Sequence, residues 1–236
     1  MEAKSRAARL DIVDETEDYL VVNKPGGLVC HPTKGDEFSS LISRLRLYFS
    51  GTDYEPRFVH RLDRETSGLV LISKNRPVHK ALCRELEQAE KTYLAVVKGT
   101  LRSSGTIDKP LGKATDSQVV VKQAVVEEGK DSVTEWTSLD SQNGYSLLRL
   151  RPRTGRMHQL RVHLQWLGYP LVGEKLYGSD ETLYLEFTEH DWTDRLEENL
   201  EARRQLLSAV ELSTPSFSWK IDPPSDILTF QDWNLP

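Results

Sequence analysis

Asp63 is the residue around which a chemical reading of this sequence can be built. In His60-Arg61-Leu62-Asp63-Arg64-Glu65-Thr66-Ser67-Gly68 one carboxylate stands between two guanidinium groups, and the chain runs on into the apolar Leu69-Val70-Leu71-Ile72. An opposite charge close by favours the ionised form of a carboxylic acid. A positioned carboxylate can then serve as nucleophile or base. The same pattern also describes a structural ion pair with no chemistry attached. His60 alone reads more readily as a hydrogen-bonded surface or core histidine than as a catalyst. Tyr93, in Lys91-Thr92-Tyr93-Leu94-Ala95-Val96-Val97, reads as a packed strand aromatic. His158 and His163 lack the i, i+4 spacing and intervening Glu of a zinc helix, and no cysteine cluster supports them, so no metal site is expected. Gly26-Gly27 and Thr154-Gly155 do not sit in a phosphate-loop pattern, so no nucleotide cofactor is expected.

The elements that must carry these residues read as mixed α and β. Asp18–Asn23 has the pattern of a short buried strand, closed by the turn Lys24-Pro25-Gly26-Gly27. Leu41, Ile42, Leu45, Tyr48 and Phe49 recur at helical spacing. Gly68–Ser73 predicts a strand. Asn75 and Pro77 then predict a helix start with Val78, Leu82 and Leu86 on one face. Tyr93–Lys98, Val119–Val126, Ser132–Leu139 and Tyr145–Arg151 predict further strands, the last two joined at Gln142-Asn143-Gly144. Thr154-Gly155 is expected to open a helix carrying Met157, Leu160, Leu164 and Leu167, and Thr182–Leu207 to be helical with an acidic outer face. The fold class expected is α+β, a single domain over residues 1–236 on a mixed, largely antiparallel central sheet flanked by helices.

Composition narrows the classes. The 236 residues are 38% hydrophobic and 28% charged, which suits a soluble globular domain with a sizeable core. No apolar run is long enough to span a membrane, and Met1–Arg6 lacks the apolar centre of a signal peptide. The only cysteines, Cys30 and Cys83, form no disulfide framework, so reduced thiols and a cytoplasmic location are expected. The formal charge of −5 argues against strong nonspecific nucleic-acid binding, but its distribution is uneven. Between Ser141 and Gly173 there is no acid, while Arg149, Arg151, Arg153, Arg156 and Arg161 fall there. From Glu174 to Glu201 ten acids face only Lys175 and Arg195. This is either an acidic surface helix beside an ordinary basic strand, or a phosphate-facing basic surface with the acidic charge placed elsewhere.

Several of these segments together resemble the RluA-like RNA pseudouridine synthases. His60-Arg61-Leu62-Asp63-Arg64-Glu65-Thr66-Ser67-Gly68 matches the family's H-R-L-D block, and Asn23-Lys24-Pro25-Gly26-Gly27 its N-K-P-x-G turn. Lys91-Thr92-Tyr93 matches K-x-Y, and Arg153–His163 resembles T-G-R-x-H-Q-L-R-V-H. Gly168–Glu174 continues as the family does, and Leu206-Leu207-Ser208-Ala209 resembles its L-L-H-A element, with Ser208 in place of His. The resemblance runs from about residue 10 to about residue 222, leaves no room ahead of it for the small N-terminal S4 RNA-binding domain of many relatives, and marks 180–204 as an acidic insertion.

The resemblance implies conversion of uridine in structured ribosomal or transfer RNA to pseudouridine by a monomer, without cofactor or metal. In that reading Asp63 is the catalytic carboxylate, Arg161 pairs with it, and Tyr93 stacks on the extruded base. His60 and Arg61 lie where the duplex is entered, Leu206 or Leu207 lines the uracil pocket, and Arg64 and His158 join the substrate contacts. Arg149, Arg151, Arg153 and Arg156 hold phosphates, with all positions along one cleft across the sheet. Two other readings are an idle RNA-binding protein of the same fold, and an aspartate-dependent glycosidase. The glycosidase would need a second carboxylate across the scissile bond, and Glu65 is the nearest in sequence.

Overall fold

Tyr19-Leu20-Val21-Val22 and Leu69-Val70-Leu71-Ile72 are apolar without alternation, and all eight residues are buried. Such runs suit strands covered on both faces. A computed structural model describes residues 10–32 and 40–234; the Met1–Arg6 segment read above lies outside them. In chain order the elements are β1 (Ile12–Glu15), β2 (Tyr19–Lys24), α1 (Leu41–Tyr48), β3 (Arg57–Phe58), β4 (Ser67–Ser73), α2 (Arg76–Glu87), β5 (Glu90–Lys98), β6 (Ser104–Asp108), β7 (Leu111–Lys113) and β8 (Gln123–Val125). There follow β9 (Val133–Gln142), β10 (Tyr145–Pro152), α3 (Gln159–Trp166), α4 (Thr182–His190), α5 (Asp194–Asn199), β11 (Leu207–Ser213), β12 (Ser218–Lys220) and α6 (Ser225–Leu228). They fall into two compact units, one of residues up to Lys91 with Ala209–Asp222, the other of Thr92–Ser208 with the residues from Pro223 on.

In the first unit β1, β2 and β4 form an antiparallel ladder, β3 pairs with β4, β11 lies next to β4, and β12 pairs with β11. Leu69, Leu71, Leu82, Leu212 and Trp219 form its main core. The helix α2 follows its sequence signals: the Asn75 side chain accepts from the Val78 N–H at 3.3 Å, and Val78, Leu82 and Leu86 lie on that core. Gly68 is required by close approach. Its φ is +114°, and a Cβ there would stand 2.1 Å from the Ala209 carbonyl oxygen.

In the second unit the antiparallel order is β5-β10-β9-β6, with β7-β8 as a separate hairpin. Opposed residues share a face of the pleat. Tyr93, Leu150, Trp136 and Gly105 stand opposite one another in turn. Their face carries the cluster of Ala95, Leu148, Leu150, Leu160 and Leu164 under α3. Leu94, Arg149, Thr137 and Ser104 define the other face. There Val96 and Leu147 pack with Val172, Leu206 and Ile227. Both units are thus helices on antiparallel sheet, the α+β class expected.

Three expectations on element bounds are corrected. The segment after Thr154-Gly155 is a turn, and α3 begins only at Gln159. The Gln159 side-chain oxygen accepts from the Thr154 hydroxyl at 2.8 Å and from the Arg156 N–H at 3.0 Å, which holds the turn open and leaves Met157 exposed. Val119–Lys122 is not strand. The Lys122 N–H closes a turn on the Val119 carbonyl at 3.0 Å, with Val120 and Val121 exposed, so β-branched residues here found no sheet surface to cover. The acidic segment is two helices rather than one. Asp191, at φ +61°, ends α4, and Thr193 recaps α5 through the Leu196 N–H. No helix among the described residues is long and apolar enough to cross a membrane.

Candidate active site

Asp63 belongs to the first unit and lies on the loop between β3 and β4. The backbone on either side of Asp63 is held by buried groups. Before it, the Leu62 carbonyl accepts from the Cys30 thiol at 3.4 Å. After it, the Arg64 carbonyl accepts from the Gly27 N–H at 2.9 Å and from Lys24 Nζ at 3.1 Å. Lys24 is fully buried at the end of β2, and its ammonium also reaches the carbonyls of Pro25 and Leu28, both at 2.9 Å. Hydrogen bonds to a charged group typically contribute about 1.5–3 kcal/mol each, so the Lys24-Pro25-Gly26-Gly27 turn is a brace for the Asp63 loop. Arg64 Nε returns a bond to the Gly27 carbonyl at 3.3 Å. Asp63 itself is half-buried, while Arg61 and Arg64 are exposed.

His60 has a structural bond that its sequence position did not reveal. Its Nε2 accepts from the Leu71 N–H at 3.2 Å, across the loop onto β4. Burial, with a smaller push from the Lys91 ammonium, lowers its pKa to about 3. The ring is therefore a neutral acceptor at physiological pH, which fits a loop anchor better than a phosphate contact.

Tyr93 and Arg161 belong to the second unit. Tyr93 is half-buried on β5, opposite Leu150, at the edge of the cluster under α3. Arg161 is buried on α3 and forms two parallel bonds to Glu174, Nε to Oε2 at 2.8 Å and Nη2 to Oε1 at 2.7 Å. Glu174 Oε1 also accepts from the N–H groups of Leu176 at 2.9 Å and Tyr177 at 3.3 Å. Burial opposes ionisation of Glu174, but the Arg161 charge and these hydrogen bonds outweigh it and hold the carboxyl below its usual range. Gly173, at φ +75°, lets the chain turn into this position, since a Cβ there would meet the Arg204 carbonyl oxygen at 2.0 Å. Tyr177 completes the group. Its ring lies 4.9 Å from the Arg161 guanidinium carbon, and its hydroxyl bonds His158 Nδ1 at 2.7 Å and accepts from the Gln123 N–H at 3.0 Å.

The other expected contacts divide. Leu207 belongs to the cluster against which Tyr93 packs, whereas Leu206 packs on the other side of the sheet with Val96 and Leu147. Arg149 and Arg151 are exposed, on the face opposite Tyr93. They do not share one cleft with it. Arg153 makes a bidentate pair with Glu135, at 2.8 and 2.9 Å, and Arg156 Nε donates to the Asp131 carbonyl at 3.1 Å. His163 is a core histidine: Nε2 donates to the Lys109 carbonyl at 3.0 Å and Nδ1 meets the Thr134 hydroxyl at 2.9 Å. Lys24, Glu174 and Tyr177 were missed as site-forming residues. The signal for two of them was a single charge inside an apolar run, Leu20-Val21-Val22-Asn23-Lys24 and Leu171-Val172-Gly173-Glu174, since charges are rarely buried unless they have partners.

Comparison with known proteins places this geometry. Residues 18–166 match the family model described as RNA pseudouridylate synthase. The chain is 37% identical over 182 residues to the uncharacterized RNA pseudouridine synthase YlyB of Bacillus subtilis, covering 74% of this chain and 59% of that protein. It is 39% identical over 173 residues to ribosomal large subunit pseudouridine synthase D of Pseudomonas aeruginosa, covering 72% and 53%. The chain therefore spans between half and two thirds of the length of these relatives. Among solved structures, human RNA pseudouridylate synthase domain containing 1 superposes with a TM-score of 0.71 at 27% identity, over 95% of this chain and 86% of that one. Human RNA pseudouridylate synthase domain containing 4 shares the fold, with a TM-score of 0.72 at 22% identity over 96% and 92%. Because the family model extends over more than half of the 236 residues and takes in the Asp63 loop, β5 and all of α3, this protein belongs to the RNA pseudouridylate synthase family.

Proposed function

We propose that this protein isomerises uridine in RNA to pseudouridine, with Asp63 as the catalytic carboxylate. The observation that carries the reading is the Asp63 loop itself: an acid between two arginines, its flanking carbonyls held by Lys24, Gly27 and Cys30, inside the segment that matches the family. The reaction breaks the uracil N1–C1′ bond, turns the base and joins C5 to C1′. A carboxylate near the sugar can assist by attacking C1′ or by taking the C2′ proton, and both routes suit an aspartate held in this way. Tyr93 stacks on the extruded base, Leu207 lines the apolar side of the uracil site, and Arg61, Arg64 and Arg156 meet phosphates. Arg161, fixed by Glu174, is the cation that the family resemblance pairs with the catalytic carboxylate.

The substrate is a structured uridine in ribosomal or transfer RNA. The name of the Pseudomonas aeruginosa relative, ribosomal large subunit pseudouridine synthase D, favours ribosomal RNA. The chain acts as a monomeric catalytic domain in the cytoplasm. Incubation with ribosomal and transfer RNA followed by mapping of pseudouridine tests the proposal, and new pseudouridine at discrete positions is expected. RNA that is bound but unchanged would leave the idle RNA-binding reading instead.

The role of Tyr93 can be separated from its packing. Tyr93→Phe keeps the ring on the Leu150 side of β5 and removes only the hydroxyl. The variant is expected to fold and bind RNA as the wild type does, with single-turnover rebonding slowed by at least about a hundredfold if the hydroxyl helps move the C5 proton. Wild-type turnover in this variant would restrict Tyr93 to stacking.

A further inference from the structure

The face of the second unit turned away from Tyr93 carries a row of unused donors. Arg149 and Arg151 project from β10 on that side, Thr137 stands opposite Arg149 on β9, and Ser104 stands opposite Thr137 on β6. All four are exposed. Beside them is an open hollow of about 590 Å³ whose lining includes Arg102, Ser103, Ser104 and Thr137. Among the described residues, no hydrogen bond or close ion pair engages the guanidinium groups of Arg102, Arg149 or Arg151, although Arg151 acts at longer range on Glu135 and Arg102 on Asp140. The carboxylates nearby are already taken. Glu135 is clamped by Arg153, and Asp140 accepts from the Asn234 N–H at 2.8 Å and the Gln142 amide at 2.8 Å. Four arginines thus stand against two satisfied acids, on a chain whose formal charge is −5.

We propose that this face is a second RNA-binding surface, which holds phosphodiesters of the substrate away from the reacting base. The inference rests on the proposed function in taking RNA as the polyanion. Charge complementarity selects the occupant. Guanidinium groups pair with phosphate oxygens in a planar fork, and hydroxyls are the usual neutral companions in contacts to phosphate and sugar. Serine and threonine hydroxyls beside them can also bond a ribose 2′-OH, which marks RNA rather than DNA. Arg149 and Arg151 stand two residues apart on one strand, about 6–7 Å along it, so they offer a line of positive charge rather than a single point.

The test is the salt dependence of binding to a ribosomal RNA stem–loop and to poly(U), measured with the full chain. The Arg102→Gln, Arg149→Gln double variant is expected to flatten the slope of log K against log salt by about 0.7–0.9 for each phosphate that is no longer neutralised. Arg203→Gln, at an exposed arginine that pairs with Glu197 and lies over the Trp192 ring, both in the acidic segment, serves as control and should leave the slope as it is. Slopes equal to wild type in the double variant overturn the surface. So does an equal flattening per charge in Arg203→Gln, which would mean that only net charge matters. A wild type that makes no pseudouridine, with the double variant still flattened, removes the catalytic reading and keeps the surface. A wild type that makes pseudouridine, with slopes unchanged, does the reverse and leaves an acidic protein as the class of partner for these arginines.

Discussion

Asp63→Asn is expected to leave RNA affinity and folding near wild type while pseudouridine formation falls by at least about a thousandfold, the loss typical of removing an essential group. The substitution removes the negative charge at nearly constant size. What makes it informative is the way the loop is held. Lys24 Nζ and the Gly27 N–H fix the Arg64 carbonyl, Cys30 fixes the Leu62 carbonyl, and His60 ties the start of the loop to β4. All of these bonds run to backbone groups or to His60, and none uses the Asp63 side chain. These bonds remain in the Asp63→Asn variant, so with affinity and melting unchanged a fall in rate reports the charge rather than a displaced loop. Single-turnover formation of pseudouridine, RNA affinity by titration and a thermal melt together decide it. A variant with normal affinity that keeps more than about a thousandth of the wild-type rate would show that Asp63 is not the reacting carboxylate.

Much of the frame could be read from residue order. Unbroken apolar runs marked β2 and β4, and the Asn75-Arg76-Pro77 start with Val78, Leu82 and Leu86 marked α2, because these features depend on local propensity and on one buried face. The site was legible where a motif is contiguous, as at His60–Gly68. It was not legible where a role depends on which side of a strand a residue occupies. Arg149, Arg151 and Tyr93 appear in neighbouring motifs, but the register that sets Leu150 against Tyr93 sends both arginines to the other face. The same parity separates Leu207 from Leu206. Helix starts failed for a related reason. Thr154-Gly155 carries helix-start residues, but the Gln159 side chain binds the turn on one side, and on the other donates to the Val133 carbonyl at 2.9 Å and to the Thr134 hydroxyl at 3.0 Å. That tertiary tie, invisible in sequence, delays α3 by one turn.

The pair Arg161–Glu174 leads to the second large effect. Glu174→Gln is expected to destabilise the protein by about 3–5 kcal/mol, because removing one member of a buried ion pair leaves the other charge uncompensated. The amide can still accept from the Leu176 and Tyr177 N–H groups, but its NH2 then meets the Arg161 guanidinium donor to donor. The pH dependence follows from the direction of the shift. Glu174 has a folded pKa below the usual 4.5, so the unfolded chain binds its proton first. Its stabilisation is complete above about pH 4.5 and is lost as pH falls through the folded pKa. Urea unfolding of wild type should therefore weaken on acidification below that point, and Glu174→Gln should lack this part of the dependence. A loss below about 1 kcal/mol, or an acid limb unchanged from wild type, would reject the pair as a stabilising unit. The Arg161→Met, Glu174→Met double variant adds a separate arm. Replacing both charges by apolar groups of similar volume is often neutral or better for stability, and although the Leu176 and Tyr177 N–H groups then lose their acceptor, the double variant should be more stable than Glu174→Gln. If Arg161 is also needed to hold the reacting carboxylate, that stable double variant should still form little pseudouridine, which separates the pair's part in folding from its part in the reaction.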